Sequence, residues 1–331
     1  MGKTGLIRHC FQDVEIKDLY YTFFIDIYAT SSLREFVFAL SKEIFEELKP
    51  KGRKFLDQFF SVITSLRAGF RLDSFSGEPS FELGLGDIQE AKSTLDELFL
   101  YLEKANKPCI VAIDEFQQIA HYGESNVEAV LRTVIQQSKN CCFIFAGSQR
   151  HIMSNLFQSP VRPFYQSVVM MHLDQIDPDI YGEFVIRHFK SNNRKVDQEL
   201  IDKIYERFEG HTWYLQMMYN ELYSLTPDGG KCNLSMFEEA LYNLISGQEF
   251  TYQEILARLP AKQKEILIAI SREGKATAVT SGDFVRKYNL QTPSSVQAAL
   301  KYLVDKDLIT QEKNVYQVYD RFFGIWLQQN Y

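Results

Sequence analysis

The sequence predicts an α/β fold: a parallel sheet with helices on both faces, then a helical unit, then a C-terminal winged helix. Three observations predict it. Four apolar, β-rich runs, "YTFFIDIYAT" at 21–30, "CIVAIDEF" at 109–116, "CCFIFAGSQ" at 141–149 and "SVVMMHL" at 167–173, alternate with helical patterns. Strand patterns stop after "LDQIDP", and residues 177–246 read as helix. From Leu259 onward three short helices precede a hairpin. Strands alternating with helices imply a parallel sheet covered on both faces, because each crossover lays a helix on the sheet.

The elements follow in order. Leu33, Phe36, Val37, Leu40, Ile44 and Leu48 share one face of a first sheet helix, and Leu95, Leu98, Phe99 and Leu102 share one face of a second. Val127, Val130, Leu131, Val134 and Ile135 mark a third. Between the first helix and the second strand, "FRLDSFSGEPSFELGL" alternates around a Ser-Gly-Glu-Pro turn and predicts an exposed hairpin. In the helical unit, Leu200, Ile201, Ile204 and Phe208 form an amphipathic face. The last segment predicts a helix at 262–272, a second starting at Ser281-Gly282-Asp283 and a third beginning near Pro293. "LITQEKNVYQVYD" then alternates around Lys313-Asn314 as a hairpin. In the third helix Val296, Leu300 and Leu303 point inward, leaving Ser294, Gln297 and Lys301 outward. The expected domains are 1–176, 177–250 and 251–331.

Composition narrows the function classes. The chain has 331 residues, 45% hydrophobic and 24% charged, the balance of a globular protein of two or three domains. No apolar run approaches the ~20 residues that span a bilayer, and the expected location is the cytoplasm. Cys10, Cys109, Cys141, Cys142 and Cys232 lack C-x-x-C spacing and paired histidines, and read as reduced thiols rather than metal or disulfide positions. A net charge of -7 excludes a chain that coats nucleic acid along its whole surface. Residues 261–331, with ten Lys or Arg against seven Asp or Glu, are the segment whose sign suits a polyanion.

Two short motifs carry chemistry. The chain opens on Gly2-Lys3-Thr4-Gly5, whose first three residues end the phosphate-binding pattern G-x-x-x-x-G-K-[ST]. In that pattern backbone N–H groups surround phosphates, the lysine faces the β- and γ-phosphates and the hydroxyl reaches Mg²⁺. "CIVAIDEF" places Asp114 and Glu115 at the carboxyl end of a buried strand, where open α/β sheets bind ligands. The two motifs in this order predict an ATP site: Gly2, Lys3, Thr4 and Gly5 on the nucleotide, and Thr4 and Asp114 on Mg²⁺. Glu115 takes a proton from, or orients, the attacking water. Ser148, at the end of the next strand, is placed to bond that water or the γ-phosphate.

With "DEFQQIA", "SPVRPFY", "EGHTWYLQ" and "YDRFFGIWL" added to G-K-T and the acidic strand end, nearly the whole chain resembles the AAA-like ATPases of archaeal and Bacteroidetes type. These belong to the STAND group of P-loop NTPases. The resemblance implies an ATP-dependent switch in which nucleotide held between the sheet and a helical lid controls the winged helix, which contacts DNA or a protein partner. The alternative is a non-catalytic regulator with a vestigial phosphate loop. Arg162 precedes the last strand, where the resemblance implies a sensing or trans-acting arginine, and Arg150 is a second candidate; the alternative for each is a solvated or ion-paired surface arginine. A nucleotide-dependent oligomer is also expected, and no membrane partner. Family members usually carry Gly-His-Pro in the lid, whereas Thr212 follows His211 here, so His211 is either a nucleotide sensor or a packed helix-start residue. They also carry a strand and a glycine-rich turn before G-K-T. Met1 is then expected to be an internal methionine of a longer protein, or the start of a shortened relative that no longer turns over nucleotide.

Overall fold

The computed structural model describes residues 2–48, 63–65, 70–72, 79–81, 88–171 and 173–331. The chain divides into two compact units, 1–173 and 174–331.

The first unit holds a three-stranded parallel sheet of β1 (Tyr21–Asp26), β4 (Cys109–Asp114) and β5 (Cys141–Phe145), with β4 in the middle. β1 and β4 run in register from Tyr21 against Cys109 to Asp26 against Asp114. The predicted apolar helix faces supply the core. Phe36, Val37, Leu40 and Ile44 of helix Leu33–Leu48, and Leu95, Leu98 and Leu102 of helix Ala91–Glu103, are buried with Phe23, Ile25, Val111 and Ile113 of the strands. Leu131 and Val134 of helix Val127–Gln137 join them. The hairpin predicted in the insertion forms between β2 (Phe70–Leu72) and β3 (Pro79–Phe81), antiparallel, with Phe70 opposite Phe81. Its Ser-Gly-Glu-Pro turn falls largely outside the described residues.

One predicted strand is corrected. The described residues of 167–173 form no strand: Val169 and Met171 are 90% and 85% exposed, while Val168 and Met170 lean on the core. The alternation of a strand is present, but no described strand offers it a ladder, and extended backbone without a partner stays solvated. β5 accordingly ends the sheet, with Cys142 and Ile144 exposed.

In the second unit the segments expected as separate domains, 177–250 and 251–331, share one core. The helices Pro178–Ser191, Gln198–Arg207, Thr212–Leu225 and Phe237–Ser246 bury residues into the same cluster as the winged helix. Phe208 and Tyr214 pack on Phe322 with ring centroids 5.4 and 5.1 Å apart, and Tyr252 stacks on Phe323 at 5.0 Å. The Arg321 N–H donates to the Tyr214 hydroxyl at 3.0 Å. Burial pushes that hydroxyl's pKa up to about 12, so it remains protonated and donates in turn to the Tyr319 carbonyl at 3.3 Å. The two segments cohere because the helices' apolar faces are filled by the last helix, Arg321–Asn330, rather than by one another alone.

The winged helix forms as the pattern predicts. Helix Ala261–Glu273 is followed by Gly282–Lys287, capped by the Ser281 hydroxyl, which accepts from the Phe284 N–H at 3.2 Å. Helix Pro293–Asp305 starts at Thr292, whose hydroxyl accepts from the Ser295 N–H. The sheet, in the order β6 (Ala276–Thr277), β8 (Val315–Val318), β7 (Ile309–Glu312), is antiparallel and turns at Lys313, with φ at 56°. Val296, Leu300 and Leu303 are buried, and Ser294, Gln297 and Lys301 are exposed. Among the described residues no helix is long and apolar enough to cross a membrane.

Candidate functional site

The carboxyl ends of β4 and β5 and the first helix, Lys3–Phe11, converge on one polar cluster. β4 is apolar from Cys109 to Ile113 and buried at all of these but half-buried Ile110, so its last residue, Asp114, is carried into the protein and is 3% exposed. A buried carboxylate needs donors. The Thr4 hydroxyl donates to Asp114 Oδ2 at 2.5 Å, and the Glu115 N–H donates to Oδ1 at 3.0 Å. The two motifs, 110 residues apart in the chain, thus meet in a direct contact.

Gly2 makes the approach. It sits before the helix with φ at 95°, a left-handed conformation that side chains rarely adopt, and its carbonyl accepts the Leu6 N–H at 2.8 Å. Lys3 and Thr4 occupy the first turn, Lys3 half-buried and with no hydrogen-bond or ion-pair partner among the described residues. Gly5 follows, exposed, and a Cβ there would meet nothing within 4 Å.

After Asp114 the chain turns sharply. Glu115 has φ at 55°, uncommon for a residue with a side chain, and a 3₁₀ helix, Phe116–His121, begins immediately. The turn is secured across the sheet: the Ala146 N–H donates to the Ile113 carbonyl at 2.9 Å, and the Phe116 N–H donates to the Ala146 carbonyl at 2.8 Å. It places the Glu115 carboxylate against the loop after β5, where Oε2 accepts the Ser148 hydroxyl at 2.9 Å and the Gln117 side-chain amide.

Arg162 lies outside this cluster. Its guanidinium donates to Asn155 Oδ1 at 2.8 Å and to Glu128 Oε1 at 2.7 Å, tying the turn after helix Arg150–Gln158 to helix Val127–Gln137. Burial pushes the Glu128 carboxyl up while Arg162 draws it down. Arg150 opens its helix, and its side chain is outside the described atoms. His211 is the exposed residue before helix Thr212–Leu225; its side chain does not cap that helix, and its ring lies edge-on to Tyr214 with centroids 6.3 Å apart.

Sequence reasoning missed Gln117 and Gly147. The first is quoted in "DEFQQIA", the second in "FAGSQR", but only the fold brings them beside Glu115. Their signal in the sequence was adjacency alone: one lies two residues after Glu115, the other directly before Ser148.

The donor set fits a small hard cation. Thr4 and Asp114 offer one hydroxyl and one carboxylate at a single point, and no group of three or more His, Cys, Asp or Glu gathers among the described residues. A soft or all-protein metal site needs more ligands than this. Mg²⁺ typically takes one or two protein oxygens and completes its shell with phosphate and water.

The architecture is a parallel α/β sheet unit followed by a helical segment and a winged helix. A family model described as "Probable winged helix domain" matches residues 250–329. Among solved structures the chain is similar to the Walker-type ATPase PABY2304 of Pyrococcus abyssi. The two share 20% identity, covering 93% of this chain and 84% of that one, with a TM-score of 0.57. It is also similar to the ORC2 protein of Aeropyrum pernix, solved as ADPNP-ADP complexes, at 13% identity, 99% and 84% coverage and a TM-score of 0.54. At these identities the likeness is one of fold. No curated protein matches the sequence.

Proposed function

We propose that the chain binds Mg-ATP at the Thr4–Asp114 contact and hydrolyses it, as a STAND-type switch acting on its winged helix in the cytoplasm. The observation that carries this reading is that contact: the hydroxyl and the carboxylate required for one Mg²⁺ touch, although they lie 110 residues apart. The solved relatives support it by name, one as a Walker-type ATPase and the other with ADPNP and ADP bound.

In this reading Gly2 and Gly5 let backbone approach the nucleotide, and Lys3, which has no ion-pair partner among the described residues, faces the β- and γ-phosphates. When bound, Mg²⁺ draws charge from the phosphate oxygens. Glu115 accepts a proton from water as the water oxygen bonds the γ-phosphorus and the bond to the ADP oxygen breaks. Ser148, bonded to Glu115, keeps that carboxylate at the β5 end. Arg162, held by Glu128, serves here as a structural tie; a sensing role would require it to leave that ion pair.

The winged helix presents Ser294, Gln297 and Lys301, and we assign it to a partner rather than to DNA alone. Two of its cations are already engaged at the surface, since Lys287 pairs with Glu273 at 2.5 Å and Arg286 pairs with Asp283. Nucleotide-dependent self-association belongs to the same switch reading. One observation favours the non-catalytic alternative: helix Lys3–Phe11 buries none of its residues, so the phosphate cradle is held by few contacts.

Mg-ATP titration decides between them. Lys3→Ala is expected to weaken ATP binding by about 1.4 kcal/mol or more, tenfold in Kd, through loss of a charge-assisted contact. Glu115→Gln is expected to bind ATP normally while phosphate release falls about 100-fold or more. Equal affinity of the unmodified and Lys3→Ala chains would sink the nucleotide reading.

A further inference from the structure

We propose that Gln117 is a positioning residue that fixes the Glu115 carboxylate, and that Gly147 exists to admit its amide. The proposal rests on the nucleotide reading for its effect on turnover, but its geometry stands by itself.

Gln117 is 3% exposed on the 3₁₀ helix that follows Glu115. Its Nε2 donates to Glu115 Oε2 and lies 3.4 Å from Ser148 Oγ. Its Oε1 is buried with no hydrogen-bond partner among the described residues. Turning the amide over would not help, because it would set a carbonyl oxygen against the carboxylate and leave two acceptors facing each other. The orientation is therefore imposed by Glu115, and the orphaned oxygen is its cost. Buried acceptors without partners are rare and are concentrated where something other than stability keeps them.

The orphaned oxygen lies against Gly147. A Cβ at that position would overlap Gln117 Oε1 and come within 2.7 Å of Met153 Sδ. Any side chain there would push the amide away. A methionine or leucine at 117 would fill the same space without burying an unpaired oxygen, so packing alone does not account for a glutamine.

The consequence for Glu115 is rotational. Two donors, the Ser148 hydroxyl and the Gln117 amide, converge on Oε2, and Oε1 is left as the oxygen that receives a proton from water. Ser148 is exposed and Glu115 sits on a left-handed turn, so with Gln117 gone one surface hydroxyl would have to hold the carboxylate. Misorientation of a base by a fraction of an ångström lowers turnover without touching substrate affinity.

The test uses the full chain. Gln117→Met keeps length and packing but removes the donor; it is expected to lower the ATP turnover rate about tenfold or more, with Kd for Mg-ATP within about twofold of the unmodified chain. Gly147→Ala is expected to give the same split. Placed on Glu115→Gln, Gln117→Met should cause no further loss, since both act through one carboxylate. Equal losses in the two backgrounds, or a Kd that moves in step with turnover, would overturn the proposal. A second readout is independent of nucleotide: the Gln117 side-chain N–H₂ signal, identified by its absence from Gln117→Met, should exchange with solvent at least tenfold faster in Glu115→Ala. An exchange rate indifferent to Glu115→Ala also overturns it. If the unmodified chain binds no Mg-ATP, the nucleotide reading fails, and amide exchange alone decides whether Gln117 holds Glu115.

Discussion

The two units solve the problem of cohesion differently. Residues 174–331 gather helices and wing into one apolar core, with Phe208, Phe322, Phe323 and Trp326 packed ring to ring and helix starts capped by Asp177, Ser281, Thr292 and Asp320. Residues 1–173 have an apolar core of strand and helix residues, but their polar end is assembled from single contacts. There Thr4 reaches Asp114, Ser148 reaches Glu115, and helix Lys3–Phe11 contributes nothing to the core. Glu115 adds backbone strain and Gln117 an unpaired oxygen. Unit two is thus held by burial and unit one's site by directed polar bonds, a division expected when chemistry rather than stability selects the residues.

The largest effect should come from breaking the shared core. Phe323, 2% exposed and stacked on Tyr252, should cost about 3–5 kcal/mol when replaced by alanine. If helices and winged helix are one cooperative unit, tryptophan fluorescence and circular dichroism of Phe323→Ala in urea will shift together for that unit. Separate transitions for 177–250 and 251–331 would support the three-domain division expected from the sequence.

Unit one should respond to a much smaller change. Thr4→Val removes the donor to buried Asp114 and preserves shape; it should destabilise the unit by about 1.5–3 kcal/mol, the range for a hydrogen bond to a charged group. Mg-dependent ATP binding should weaken as well. Added Mg²⁺ without nucleotide should leave the unmodified chain's stability unchanged, because two protein oxygens alone are too few to hold the ion.

The smallest effect sharpens the contrast at the surface of unit two. Hydrogen bonds from Lys287 and Tyr288 hold the Glu273 carboxyl below its ordinary 4.5. A depressed folded value means stability that is present above the unfolded pKa and lost as pH falls through the folded one. Thermal unfolding of Lys287→Ala should therefore match the unmodified chain at strongly acid pH and lie slightly below it above pH about 5, by the same linkage. An equal offset at every pH would show that the lysine acts by packing over Tyr288, against which it also lies.

The winged helix was legible because its signals are local. Ser281 and Thr292 cap the turns directly after them, Pro293 opens a helix, and Lys313-Asn314 turns a hairpin, each within a few residues. The meeting of Thr4 and Asp114 was legible for another reason: in the proposed nucleotide reading, phosphate and metal chemistry fixes the order of two short motifs along a parallel sheet. The run at 167–173 misled because alternation records which side chains can face a core, whereas a strand also needs a neighbour's backbone, and alternation carries no information about that neighbour.

By itself, then, the sequence determined the helix faces, the caps and turns, and the residue types at the ends of β4 and β5, all set by local geometry and periodicity. The tertiary structure alone decided four things. It left 167–171 unpaired, merged 177–250 with 251–331 around the last helix, drew Arg162 into an ion pair with Glu128, and laid the Gln117 amide over Gly147 beside Glu115. Each of these depends on which distant groups come within a few ångströms, and short-range patterns in the sequence do not encode those distances.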